Sequence, residues 1–163
     1  MKNILIVCAD KNLRKDLSRA LATELKCLYL DADELLDFEI LNRQEIRLNE
    51  ASNALQQMEL DTLKRIAEFK NCVITISENL FVSNDNFSSI NDVIKVHCAL
   101  SKAYLVAQTN KRDAYKLEQE LSVFDEINAL IKANCDFVVS KDVKTIEQVC
   151  QEIIVNISQL NKK

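Results

Sequence analysis

Three cations, Lys11, Arg14 and Lys15, gather at the start of the first helical pattern in the chain. Backbone N–H groups at a helix N-terminus favour negative charge, so this cluster is a candidate site for a phosphate or an acidic partner. The competing reading is an ordinary basic face turned to water. Two carboxylates, Asp31 and Asp33, lie at the end of a short apolar run. On local pattern alone, Asp31 ends a strand and Asp33 caps the helical segment that follows. Two thiols, Cys8 and Cys98, fall at the carboxyl ends of strands, where α/β proteins bind ligands, and His97 is beside Cys98. Neighbouring residues of a strand point to opposite faces, so His97 and Cys98 are not expected to act together, and buried inert thiols are the expectation. The single histidine gives acid–base or metal chemistry little material. No serine stands in the glycine-flanked turn of a nucleophile elbow.

The elements that would position these groups alternate. Residues 3–9 form a continuous apolar run, the pattern of a strand buried on both faces. Asn12 is the expected cap of a helix with Leu13, Leu17, Leu21 and Leu25 on one stripe. Further strands are expected at 27–31, 72–76, 93–98 and 135–139. Helices are expected at 54–69 (Leu55, Met58, Thr62, Ile66 and Phe69 on one face), 101–109, 113–132 and 145–160, with a loosely helical stretch at 43–53. Strands alternating with helices imply a parallel sheet covered on both sides.

Composition bounds the rest. A chain of 163 residues with 48% hydrophobic content suits one domain, residues 1–163, burying roughly two-thirds of its unfolded surface. With 21 basic against 25 acidic side chains the net charge is −4, which argues against a nucleic-acid partner. No apolar run approaches the ~18 residues of a membrane span, and the N-terminal one is too short for a signal peptide, so a cytoplasmic protein without membrane partners is expected. Six scattered cysteines with no C-x-x-C pair fit reduced thiols and no metal site. Glycine and proline are both absent, where average usage predicts about 11 and about 8. Any left-handed turn must therefore use residues such as Asn and Asp, as Ser83-Asn84-Asp85-Asn86 is expected to do.

The order of several segments resembles the shikimate kinase family of P-loop kinases. Arg19-Ala20-Leu21-Ala22 matches the helix after the phosphate-binding loop. Tyr29-Leu30-Asp31-Ala32-Asp33-Glu34-Leu35 is similar to the family's F-x-D-x-D-x-x-I segment. Glu59 with Leu63-Lys64, Cys72-Val73-Ile74-Thr75, and Asp136-Phe137-Val138-Val139 through Glu147-Gln148-Val149 resemble later scaffold segments. The resemblance implies a three-layer fold, a five-stranded parallel sheet of order 2-3-1-4-5 with helices on both faces. It also implies that Asp33 meets a substrate hydroxyl and that Asp31 sits near metal or base.

The departures fall at functional columns. Where G-x-x-x-x-G-K-S/T is expected, the chain has Cys8, Leu13, Arg14 and Lys15; the glycines leave room for phosphate and the hydroxyl ligates Mg²⁺. The tri-glycine substrate loop reads Ser77-Glu78-Asn79. The substrate-arginine columns read Gln56 and Asn128, and Lys111-Arg112 is the one basic remnant of the lid. The expectation is a catalytically inactive relative that binds a protein or a small anionic ligand and needs no cofactor. The alternative is an active shikimate kinase or related small-molecule kinase with an unorthodox site for ATP and Mg²⁺. A further alternative is a degenerate receiver-like signalling domain, since Ile4-Leu5-Ile6-Val7 with Asp10 and Leu13-Arg14 also resembles that family. That likeness lacks the acidic pair after the first strand and the phosphoacceptor after the third.

Overall fold

The computed structural model describes residues 1–42, 51–108 and 114–163. The expected loose helix at 43–53 falls mostly outside these residues, and Lys111-Arg112 wholly so. The chain runs β1 (Asn3–Val7), α1 (Lys11–Leu25), β2 (Leu28–Asp31), α2 (Ala32–Asn42), α3 (Ala51–Glu68) and β3 (Cys72–Ile76). It continues through α4 (Glu78–Val82), a 3₁₀ turn (Ser83–Ser88), β4 (Val93–Ala99), α5 (Lys102–Gln108), α6 (Ala114–Ser122), α7 (Phe124–Ala133), β5 (Phe137–Ser140) and α8 (Ile146–Leu160).

All strand pairings are parallel, and the order is β2-β3-β1-β4-β5, as the kinase resemblance implies. A receiver domain would instead place β1 between β2 and β3, so topology removes that alternative. β1 is central, and its side chains alternate between two cores. Ile4, Ile6 and Cys8 join Leu13, Leu17 and Leu21 of α1 and Val149, Cys150 and Ile153 of α8. Leu5 and Val7 join Leu36 of α2, Met58, Leu63 and Ile66 of α3, Leu80 and Phe81 of α4, and Ile131 of α7. The period-4 leucines of α1 thus do what their spacing predicts.

One expected helix is two. The apolar stripe over 113–132 is continuous in sequence, but at Val123 the backbone leaves helical geometry (φ −111°, ψ 4°), separating α6 from α7. Of Leu117, Leu121, Phe124 and Ile131, only Ile131 is fully buried.

Left-handed backbone falls where a chain without glycine can tolerate it. Asn71, Asn84, Asp85, Asp92 and Asp142 take positive φ, side chains that hydrogen-bond locally. Lys26 is the exception: it closes α1 at φ 53°, donating its N–H to Ala22 and Thr23. A Cβ in that conformation is costly, so Lys26→Gly is expected to raise stability by about 0.5–1 kcal/mol, measured by urea denaturation.

Candidate functional site

The carboxyl ends of β1, β2 and β3 bring the expected residues together. β1 ends at Val7 and α1 begins at Lys11, so Cys8, Ala9 and Asp10 alone connect them, and residues 11–15 are already helical. The cap of α1 is Asp10, not Asn12: its backbone is extended, and its Oδ1 accepts the Leu13 N–H at 2.7 Å. Asn12 lies inside the first turn. Leu13 is buried in the core beneath α1.

Arg14 and Lys15 turn toward β2. Arg14 is 5% exposed, and its Nη2 is 3.9 Å from Asp33 Oδ2; its Nε finds no acceptor among the described residues. Lys15 Nζ donates to Glu34 Oε1 and lies 3.7 Å from Asp31 Oδ2. That ammonium's hydrogen bond and charge hold the Glu34 carboxyl below its usual range. Lys11, the third cation of the cluster, is exposed.

The two aspartates divide their work differently from the local pattern. Asp31 both ends β2 and caps α2, accepting the Glu34 N–H at 3.0 Å. Its other oxygen accepts from the Tyr29 hydroxyl at 3.4 Å, and burial together with that carboxylate pushes the Tyr29 phenol up to about 12. Asp33, the expected cap, instead crosses to β3: it accepts from Ser77 N at 2.7 Å and from Ser77 Oγ. Ser77 in turn caps α4 through the Leu80 N–H.

Beside these ion pairs, Glu78 Oε1 is 2.9 Å from Nε2 of the buried His97. His97 and Cys98 face opposite sides of β4, as strand alternation requires. Cys98 packs with Cys8 in the α1 core. The neighbouring Cys98 thiol and burial raise the Cys8 thiol well above its ordinary value, so it stays protonated near neutrality. Of the two arginine columns, Gln56 is exposed on α3. Asn128 donates to Phe124 O at 2.9 Å and faces a cavity of about 210 Å³ beside Ser77, Glu78 and Asn79.

Sequence reasoning thus found Asp31, Asp33, Arg14 and Lys15 but missed their partners Glu34 and Ser77 and the capping role of Asp10. Only Asp10 carried a local signal, a short carboxylate three residues before the first buried leucine.

The sequence profile of the shikimate kinase family matches residues 15–158. Among curated proteins, no sequence matches the chain. The fold is similar to that of shikimate kinase from Acinetobacter baumannii in complex with shikimate (17% identity, 100% of this chain and 96% of that one, TM-score 0.76). It is also similar to shikimate kinases from Bacteroides thetaiotaomicron (16% identity, 96% and 98%, TM-score 0.74) and Aquifex aeolicus (17% identity, 96% and 96%, TM-score 0.72). With its strand order and a profile match over most of its length, the chain belongs to the shikimate kinase family.

Proposed function

We propose that this family member is catalytically inactive and acts by binding, as one cytoplasmic domain spanning residues 1–163. The observation that carries this reading is the Lys15 ammonium, which lies on Asp31 and Glu34. By resemblance, the residue at that column supplies a hydroxyl to Mg²⁺, and Asp31 lies near the metal. An ammonium has no lone pair to offer. At about 4 Å and an effective dielectric near 20, two unit charges repel by about 4 kcal/mol, and a divalent ion meets about twice that.

Asp10 supports the same reading from the anion side. Its carboxylate takes the Leu13 N–H, one of the donors a phosphate at the start of α1 would need. Residues 11–15 are wound into helix, and none of residues 8–15 takes positive φ, so no concave nest of N–H groups forms around a phosphate. The residues present do not fit ATP·Mg²⁺, and no phosphoryl-transfer step follows from them. The substrate side agrees, since Glu78 and Asn128 are poor company for a carboxylate ligand.

The partner we favour is another protein. A small anionic ligand is the second candidate, favoured by the exposure of Lys11, although it would have to draw Arg14 and Lys15 away from their carboxylates.

Thermal unfolding with ATP·Mg²⁺ and, separately, with shikimate tests the reading. A ligand at about 100 times its Kd adds about 2.7 kcal/mol to native-state stability. We expect no change in Tm with either. A dose-dependent rise with both would restore the active-kinase alternative.

A further inference from the structure

The cavity beside Ser77 lies between the β3–α4 turn and helices α5, α6 and α7. Its walls divide by chemistry. Leu105, Val123, Phe124 and Ile127 give an apolar side, while Glu78 and Glu120 contribute carboxylates. No Lys or Arg is among the described residues that line it. Lys102 lies 5.4 Å from the Phe124 ring centroid, but it is paired with Asp125 and is not part of the lining.

Glu78 is the inner of the two carboxylates. Its side chain is 15% exposed and is fixed by His97, which uses one of the several lone-pair directions a carboxylate offers. Glu120 is about half exposed, with Lys116 4.0 Å away across one helical turn, an exposed pair that constrains it little. An anion entering here would lose water and meet like charge against apolar walls. An ammonium would exchange its hydration for two carboxylates while its hydrocarbon covers Phe124 and Ile127.

We propose that this cavity is a binding site for a small amphipathic amine, with the ammonium held by Glu78 and Glu120 and the apolar body against Phe124 and Ile127. The assignment rests on the preceding reading of the substrate side, whose cavity this is, and does not depend on whether nucleotide binds.

Isothermal titration of the full chain at pH 7 with three probes of one shape tests it: cyclohexylmethylamine, cyclohexylmethanol and cyclohexanecarboxylate. The amine is expected to bind at least about tenfold more tightly than the carboxylate, with the alcohol between them. Glu120→Gln, on an exposed helix position, should weaken the amine about threefold or more and leave the alcohol unchanged. Phe124→Ala should weaken all three. Glu78→Gln, checked for folding by circular dichroism because it also frees His97, should weaken the amine further. The assignment is overturned if the carboxylate binds as well as the amine, if none of the probes binds, or if Glu120→Gln leaves the amine unaffected. A thermal response to ATP·Mg²⁺ in the absence of shikimate, with the amine preference intact, would count against the preceding reading of the nucleotide side alone.

Discussion

Asp33→Ala is expected to cost about 3–5 kcal/mol of folding stability, the range for leaving one member of a buried ion pair alone. Three groups lose their acceptor at once. The Arg14 guanidinium, 5% exposed and with its Nε already unpartnered among the described residues, keeps no carboxylate among them. The Ser77 N–H and Oγ, which tie the end of β3 to α2, lose theirs as well. A carboxylate kept only for chemistry could be removed at little cost. Asp33→Asn also leaves Arg14 without a counter-charge but still offers an oxygen to the Ser77 N–H, so it should recover only about 1–2 kcal/mol of that loss. Urea denaturation of the three proteins measures both differences. A loss below about 1 kcal/mol for the alanine variant would mean that the aspartate is not the structural link described here.

Placing at α1 the glycine and the hydroxyl that the kinase resemblance implies is expected to damage the fold without conferring phosphoryl transfer. Leu13 is packed in the α1 core, and a large-to-small change there removes about 2–5 kcal/mol, with up to about 1 more for glycine in a helix. Lys15→Ser removes the cation from Asp31, whose side chain is 3% exposed, and from Glu34. The double variant Leu13→Gly/Lys15→Ser should therefore lose about 3–8 kcal/mol, comparable to the whole stability of a small domain. The single variant Lys15→Ser keeps the core and should fold at a cost of about 1–2 kcal/mol. Neither is expected to phosphorylate shikimate, since by the same resemblance Gln56 and Asn128 would still replace substrate arginines. A coupled ADP-release assay on both reads this out, and shikimate-dependent turnover in either would refute it.

Much of the scaffold was legible before any coordinates. Apolar runs with β-branched residues gave the strands, the leucine spacing in α1 gave its buried face, and the absence of glycine pointed to Asn84-Asp85 as a left-handed turn, which they form. The helix caps were misassigned twice, Asn12 for Asp10 and Asp33 for Asp31. Each segment offers two short polar residues within one turn, and which one caps depends on where the strand before it releases the chain. The break at Val123 was invisible because the apolar stripe continues straight through it.

By itself the sequence determined the layer pattern, because it depends on local periodicity and order along the chain. The fates of Arg14, Lys15, Asp31 and Asp33 were decided only in three dimensions. Their partners come from separate elements, α1, β2, α2 and the β3–α4 turn, which the parallel crossovers carry to the carboxyl end of the sheet. Whether a buried charge stays free for a ligand or is spent on a neighbour depends on distances of a few ångströms between such elements, and no spacing along the chain encodes those distances.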